Sequence, residues 1–215
     1  MDVCSDERLV AMLELVKLPL NIRTLDYKTS TIDFSYPVVY GMQNKTAEYN
    51  INYNIYHTML GLIGELQRPD LKTYISGSYE IKTNLQNVFS LILIGLGDFG
   101  GAHPMTYVRA LNMDVLTGKN YQLSELFKPN SNYLKRLSDI IAEQIKERDI
   151  PLFEEFKGIR PNQDYYIADV NLIIFFQLYE ITSYAQGFPY FSIPIYEIQD
   201  IVDEKGLLNN IAGII

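Results

Sequence analysis

The chain has 215 residues, of which 47% are hydrophobic and 20% are charged, and this composition excludes a disordered or fibrous protein. Its formal net charge is -8, and no cluster of basic residues stands out. A nucleic-acid partner is therefore not expected, because a phosphate backbone is bound by a basic face. Seventeen Tyr and ten Phe favour half-buried strands, so we predict a fold that contains a β-sheet.

The termini and the single cysteine limit the classes of protein further. Cys4 stands alone, so the chain can form neither an internal disulfide nor a zinc site of the multi-cysteine kind. The first residues are charged and Glu14 interrupts the apolar run that follows, so we expect no secretion signal. The longest apolar run, residues 170–178, is shorter than the roughly 18 residues that span a membrane. The sequence predicts a soluble chain without a transmembrane segment, and it leaves the cellular location unknown.

The first predicted elements are a short amphipathic helix or frayed segment at residues 6–17 and a hairpin of two strands. Residues 20–27 and 31–36 alternate apolar and polar side chains, which is the period of a half-buried strand. Pro37 then ends the second strand or places it at a sheet edge.

A long helix is predicted next, from residue 46 to residue 66, with Asn44 or Thr46 as its cap. Its apolar face consists of Ile51, Ile55, Met59, Leu62, Ile63 and Leu66. The other side carries Asn50, Asn52, Asn54 and His57. An asparagine-rich ligand face and an ordinary solvated face are both open, and amphipathicity favours the solvated face.

The stretch of residues 89–127 is the most distinctive in the chain. Residues 73–83 and 89–94 predict paired strands, and residues 105–115 predict a third strand behind a glycine-rich corner. The corner, residues 95–104, contains four glycines, which permit positive φ or close approach of another chain segment. Pro104 biases His103 toward an extended backbone.

The remaining elements complete an antiparallel arrangement. Residues 117–119 predict a turn and residues 123–127 a single helical turn. A helix capped by Asn130 or Ser131 runs to about residue 148, and an irregular connection covers residues 151–162. The last predicted elements are strands at 164–168 and 172–178, a loop at 179–188, a strand at 190–193 and a helix at 195–202.

A series of motifs occurs here in the order that a known family uses. These motifs are Gly100-Gly101-Ala102-His103 and residues 112–119, 123–127, 165–167, 172–176, 179–181, 184–187 and 191–194. In this order the chain resembles the extracellular domain of RsiV-type anti-sigma factors, which sense lysozyme, and the accessory region ahead of the catalytic domain in PdaC-type peptidoglycan deacetylases. Residues 36–44 with the helix behind them resemble the smaller domain that usually precedes this one.

The resemblance implies an α+β fold with a binding or sensing role, and it does not imply an enzyme. We expect an antiparallel β-sheet meander packed against two main α-helices in a single compact unit. The predicted division is a small N-terminal subdomain at residues 18–70 and an RsiV-like domain at residues 71–205. Members of the family are usually extracytoplasmic. Ser183 stands where the family pattern has a proline, and Pro104 follows the histidine where a small residue is more usual.

We predict a partner surface formed by the corner and by the loop at residues 179–189, without a cofactor. Rigid aromatic side chains dominate many interfaces, although ordinary core and loop packing is the favoured explanation for any single ring. The expected partner is a basic protein such as lysozyme, or peptidoglycan, and the oligomeric state is unknown. The candidate binding residues are Asp98, His103, Tyr179, Glu180, Tyr184, Phe188 and Tyr190.

A catalytic alternative is a metal-dependent hydrolase acting on cell-wall polysaccharide through His103, Asp98 and Glu180. The sequence has no HxxxH or HExxH spacing to support it. The competing role for His103 is structural, with its ring bonded to a carbonyl or carboxylate so that it locks the corner.

Overall fold

The computed structural model describes residues 19–101 and 103–212, and the predicted helix at residues 6–17 lies outside them. Among the described residues, no helix is long and apolar enough to cross a membrane. The strands are β1 (Asn21–Lys28), β2 (Ile32–Tyr40), β3 (Tyr74–Leu85), β4 (Val88–Asp98), β5 (Met105–Asp114), β6 (Tyr165–Ala168), β7 (Asn171–Phe175) and β8 (Tyr190–Pro194). The α-helices are α1 (Lys45–Leu66), α2 (Tyr133–Glu147) and α3 (Asn209–Ala212), with 3-10 turns at Leu123–Leu126, Tyr184–Gln186 and Ile195–Ile198.

A five-stranded sheet in the order β1-β2-β3-β4-β5 forms the first half of the fold. Its pairs are antiparallel except β2 with β3, which are parallel with Ile32 beside Ile75 and Phe34 beside Gly77. The parallel pair arises because α1 separates the two strands and returns the chain to the starting edge. The predicted α+β class is confirmed, but the expected antiparallel meander is a mixed sheet at this point.

Helix α1 covers one face of this sheet. Asn44 accepts hydrogen bonds from the backbone N–H groups of Thr46 and Ala47, which caps the helix as predicted. The opposite strand β4 runs on to Asp98, so Gly95 and Gly97 lie inside a strand and not in the corner, which is a correction to the prediction. A Cβ at Gly95 would lie 2.8 Å from a Leu66 methyl carbon, so the missing side chain lets α1 pack closely.

The asparagines of α1 are structural, which corrects the prediction of a solvated face. Asn52 accepts from the Val39 N–H and donates to the Val39 carbonyl, both at 2.8 Å. Asn50 and Asn54 donate to the carbonyls of residues 117 and 118 at 3.0 and 3.1 Å. These amides therefore attach the edge of β2 and the turn after β5 to the helix. They also supply hydrogen-bond partners to backbone groups that would otherwise lack them.

A three-stranded antiparallel sheet, β6-β7-β8, forms the second half with α2. Leu137, Ile141 and Ile145 of α2 are buried in its core. The helix begins at Tyr133 with Asn132 at its N-cap position, so the predicted caps Asn130 and Ser131 are wrong, and Asn130 lies in a turn with a φ of 63°. The helix predicted at 195–202 is only a 3-10 turn followed by irregular turns.

Buried polar side chains join the two sheets. The outer edge of β6 lies against the face of the large sheet, where Asn112 donates to the Tyr165 carbonyl at 2.9 Å. The Ile167 N–H donates to Ser90 Oγ and Asn112 Oδ1, and Thr83 donates to the Ile167 carbonyl. These bonds satisfy a strand edge that would otherwise be buried without partners. The division near residue 70 stays a prediction, and the strands on both sides of it share one sheet.

Candidate binding surface

Three aromatic rings from two loops meet beside the edge strand β5. His103, from the β4–β5 loop, stacks on Tyr184 with ring centroids 4.4 Å apart and an interplanar angle of 21°. The Tyr179 hydroxyl lies 3.3 Å from His103 Nε2, within hydrogen-bonding distance. Tyr179 and Tyr184 are 5.7 Å apart, so the three rings form one group. We refer to His103, Tyr179 and Tyr184 as the ring cluster.

Gln177 fastens the Tyr179 loop to the sheet. Its Oε1 accepts from the Val108 N–H at 3.1 Å, and its Nε2 donates to the Val108 carbonyl at 2.9 Å. The side-chain amide therefore mimics a neighbouring strand at the free edge of β5. Nε2 also donates to Asp164 Oδ2 at 2.9 Å, which ties the loop to the start of β6.

Glu180 holds the turn that presents Tyr179. Its Oε2 accepts from the Gln177 N–H at 2.8 Å, and its Oε1 lies 2.7 Å from an Arg160 guanidinium nitrogen. Tyr179 has a φ of 64°, a left-handed conformation that a bulky residue adopts only when its surroundings impose it. The ion pair and the backbone bond impose it here, so Glu180 positions the ring rather than offering a free carboxylate.

Burial sets the electrostatics beneath the ring cluster. The pKa of Asp164 is raised above its ordinary value, chiefly because the carboxyl group is largely buried. The hydrogen bond from Gln177 and the nearby Arg109 charge oppose this shift and favour the carboxylate. The result is a half-buried acid whose oxygen accepts a hydrogen bond from the Gln177 amide.

An open cleft of about 460 Å³ adjoins the same turn, since Glu180 and Ile181 line it. Phe153, Phe156 and Ile181 supply its apolar surface, and the Phe153 side chain is 58% exposed. Glu154 and Glu155 are exposed on its wall. A cleft of this size, apolar with a few charged groups, has the dimensions of a site for a side chain or a small ligand.

The other predicted binding residues are not members of the ring cluster, and each has a different role. Asp98 accepts from the Gly100 N–H at 2.8 Å and so shapes the β4–β5 loop. Phe188 is half-buried and packs with Phe175 between the two sheets. Tyr190 is 57% exposed at the start of β8, where its carbonyl accepts from Arg148.

His103 differs from its predicted structural role, because its partner is a tyrosine hydroxyl at an exposed position and not a buried carbonyl or carboxylate. The catalytic alternative required His103, Asp98 and Glu180 to gather around one metal ion. Within the described ranges, no three His, Cys, Asp or Glu side chains stand close enough to hold one.

Sequence reasoning missed Gln177, Arg160 and Phe153. The apolar residues of the irregular connection at residues 151–162 have neither helical nor strand spacing. This pattern predicts a loop held by its apolar side chains, and it does not indicate a cleft wall. Gln177 and Val108, which its side chain contacts, are 69 residues apart in the sequence. A local pattern carries no signal for such a bond, although a polar residue just after a fully apolar strand was a usable hint.

The comparisons with known proteins agree with this architecture. Residues 124–196 match a family described as protein of unknown function, DUF3298. Anti-sigma-V factor RsiV of Bacillus subtilis (strain 168) is 28% identical over 192 residues, a match covering 80% of this chain. The match covers 66% of RsiV, so the chain spans just under two thirds of that relative's length.

Two solved structures of DUF3298 family proteins share the fold. The one from Bacteroides fragilis NCTC 9343 has a TM-score of 0.69 at 12% identity, over 90% of this chain and 98% of that chain. The one from Pseudomonas aeruginosa PAO1 has a TM-score of 0.63 at 12% identity, over 86% and 95%. Most of the chain is thus similar to RsiV, and residues 124–196 match the DUF3298 family, which is the resemblance that the sequence motifs predicted.

Proposed function

We propose that this chain is a non-catalytic sensing domain that binds a basic, cell-wall-active protein of the lysozyme class. The contact surface is the ring cluster together with the adjoining cleft. The coarse part of this proposal draws on the similarity to an anti-sigma factor, a regulatory protein that acts by binding. The finer part rests on the chemistry of the surface.

The observation that carries the proposal is an exposed tyrosine held in a fixed position. Tyr179 is 44% exposed, yet its loop is tied to the sheet through Gln177 and to Arg160 through Glu180. A preorganised aromatic side chain loses little conformational entropy on binding, which is why such rings dominate interface energetics.

Charge supplies the second argument. The chain carries a formal net charge of -8. The cleft is lined by Glu154, Glu155 and Glu180 against Lys157 and Arg160, and Arg160 is paired with Glu180. A chain of net negative charge attracts a basic protein and accelerates its association. Peptidoglycan is the competing partner, and its anionic character fits a chain of this charge less well.

Binding of a basic lysozyme to the immobilised chain tests the proposal. We expect measurable affinity at about 0.15 M salt that weakens at higher ionic strength, because screened charges steer less. Tyr179→Ala should weaken binding about tenfold or more, since a central ring is lost. His103→Ala should also weaken it, with little effect on melting, because His103 is exposed.

Tyr196→Ala is the matched control, since Tyr196 is 60% exposed on a different element. Equal losses for Tyr179→Ala and Tyr196→Ala would contradict the assigned surface. Retention on peptidoglycan without any binding of lysozyme would replace the protein partner by the polymer.

A further inference from the structure

The outward face of α1 carries a row of exposed aromatic rings. Tyr49, Tyr53 and Tyr56 are 65%, 49% and 37% exposed, and His57 is exposed beside them. Ring centroids are 5.9 Å apart between Tyr49 and Tyr53, and 4.0 Å apart between Tyr53 and His57. We refer to these four residues as the tyrosine strip. Contiguous aromatic surface of this kind marks an interaction site, whereas scattered rings do not.

Towards the C-terminal end of α1, two positions on the same face are glycines. Gly61 and Gly64 continue the line of Tyr53 and His57 along the helix, and both are exposed. A Cβ at either glycine would meet no atom within 4 Å. Glycine inside a helix is destabilising relative to alanine, and no contact in the described part of the chain requires it here. The bare backbone is therefore available to a group from outside the chain.

The centre of this face carries no charge. Residues 49–64 contain no Asp, Glu, Lys or Arg, although the chain as a whole has a net charge of -8. The next residue along the line of His57 and Gly61 is Glu65, and its carboxylate is paired with Arg109 of the same chain. A basic partner would be selected by unpaired acidic side chains, and residues 49–64 offer none. Two copies of an acidic chain repel each other unless they meet at an uncharged surface. The charge pattern thus favours a second copy of this chain as the occupant.

We propose that two copies pair through α1, with the helices antiparallel and a two-fold axis beside His57. Tyr53 and Gly61 each lie four residues from His57, so the Tyr53 ring of one copy sits over Gly61 of the other. The two-fold axis thus produces the same contact twice, with the aromatic ring of each copy over a glycine of the other, and this is the self-complementarity that a two-fold interface requires.

This inference is independent of the ring cluster and of the proposed partner. It is tested by sedimentation of the whole chain over a range of concentrations, with the expected mass twice 24.8 kDa at the upper end. Tyr53→Ala should weaken the dimer about tenfold or more, because a central aromatic contact is lost. Tyr74→Ala, at a 50% exposed ring on β3, should leave it unchanged.

The variant Gly61→Ala distinguishes a role of this glycine in dimerisation from a role in the stability of the monomer. In the dilute monomer this substitution should raise the melting temperature, since alanine favours a helix and meets open space. In the same variant the dimer should weaken, because the added methyl group fills the position of the partner's ring. A chain that stays monomeric at the highest concentration would overturn the proposal.

Engineered thiols test the register. In a Cys4→Ser background, His57→Cys should form a disulfide-linked dimer on mild oxidation, because the two positions face each other across the axis. Tyr53→Cys should cross-link poorly alone and efficiently when mixed with Gly61→Cys. Efficient self-linking of Tyr53→Cys, or a linked Tyr196→Cys control at the same rate as His57→Cys, would overturn the antiparallel arrangement.

Discussion

At the scale of single residues, side-chain amides and carboxylates do the work of backbone in this protein. Asn52 completes the edge of β2, Gln177 completes the edge of β5, and Glu180 satisfies a turn. Each group replaces a strand or a cap that the fold does not supply, because a buried backbone group without a partner is costly. The exposed Tyr179 ring owes its fixed position to two of these bonds.

The half-buried Asp164, which is bonded to Gln177, predicts a pH effect. Because the pKa of Asp164 is raised in the folded chain, the folded state holds the proton more tightly than the unfolded state. This contribution to stability is fully present below the ordinary pKa of about 3.8 and is lost as the pH rises through the folded pKa. Asp164→Asn lacks the ionisation while keeping an oxygen for Gln177.

We therefore expect the stability of Asp164→Asn relative to the natural chain to increase between about pH 3 and about pH 6. Urea denaturation at a series of pH values measures this difference, and Asp70→Asn at an exposed position is the control. A difference that declines over that interval would show that the carboxylate, and not the protonated acid, stabilises the fold.

At the scale of elements, periodicity predicted what repeats and missed what depends on distant partners. The buried stripe of α1 recurs so regularly that its predicted span, 46–66, differs from the observed one by a single residue. Gly95 and Gly97 were assigned to a loop because glycine is common in turns, whereas the packing of Leu62 and Leu66 requires them in β4. The same limit applies to the parallel pairing of β2 with β3, which no local pattern specifies.

The candidate surface shows the same division. The two loops predicted to form it do meet, since His103 stacks on Tyr184, and their role in binding stays a prediction. The cleft beside them depends on Arg160 and Phe153, whose positions follow from the tertiary structure and not from the spacing of residues.

The parallel pair of β2 and β3 predicts a position that tolerates no side chain. Gly77 lies under the fully buried Phe34 ring, and an added Cβ would sit 2.1 Å from two ring carbons. Gly77→Ala should therefore lower the free energy of unfolding by about 1–3 kcal/mol or more, the usual cost of overpacking. Gly101→Ala, where a Cβ meets nothing within 4 Å, is the matched control in urea denaturation. Equal midpoints for the two variants would refute the close contact.

At the scale of the whole molecule, two hydrophobic cores share one polar seam. One core lies between α1 and the five-stranded sheet, and the other lies between α2 and the three-stranded sheet. Ile92, Val108 and Phe175 form a small apolar cluster between the sheets. The seam of Thr83, Ser90 and Asn112 is fully bonded to β6, and such satisfied networks fix one arrangement of the layers.

Asn112 makes three side-chain hydrogen bonds in this seam, so its loss should affect both halves together. Asn112→Leu removes the donor to the Tyr165 carbonyl and the acceptor for Ser90 Oγ, leaving two buried polar groups without that partner. At about 1–3 kcal/mol for each unsatisfied group, we expect a loss of roughly 2–6 kcal/mol in the free energy of unfolding. Asn162→Leu, at an exposed position, should change it by less than about 0.5 kcal/mol.

Far-ultraviolet circular dichroism and tyrosine fluorescence should report one coincident transition for the natural chain, because the seam couples the cores. Separate transitions for the two probes, or a loss confined to one of them in Asn112→Leu, would mean that the halves unfold independently.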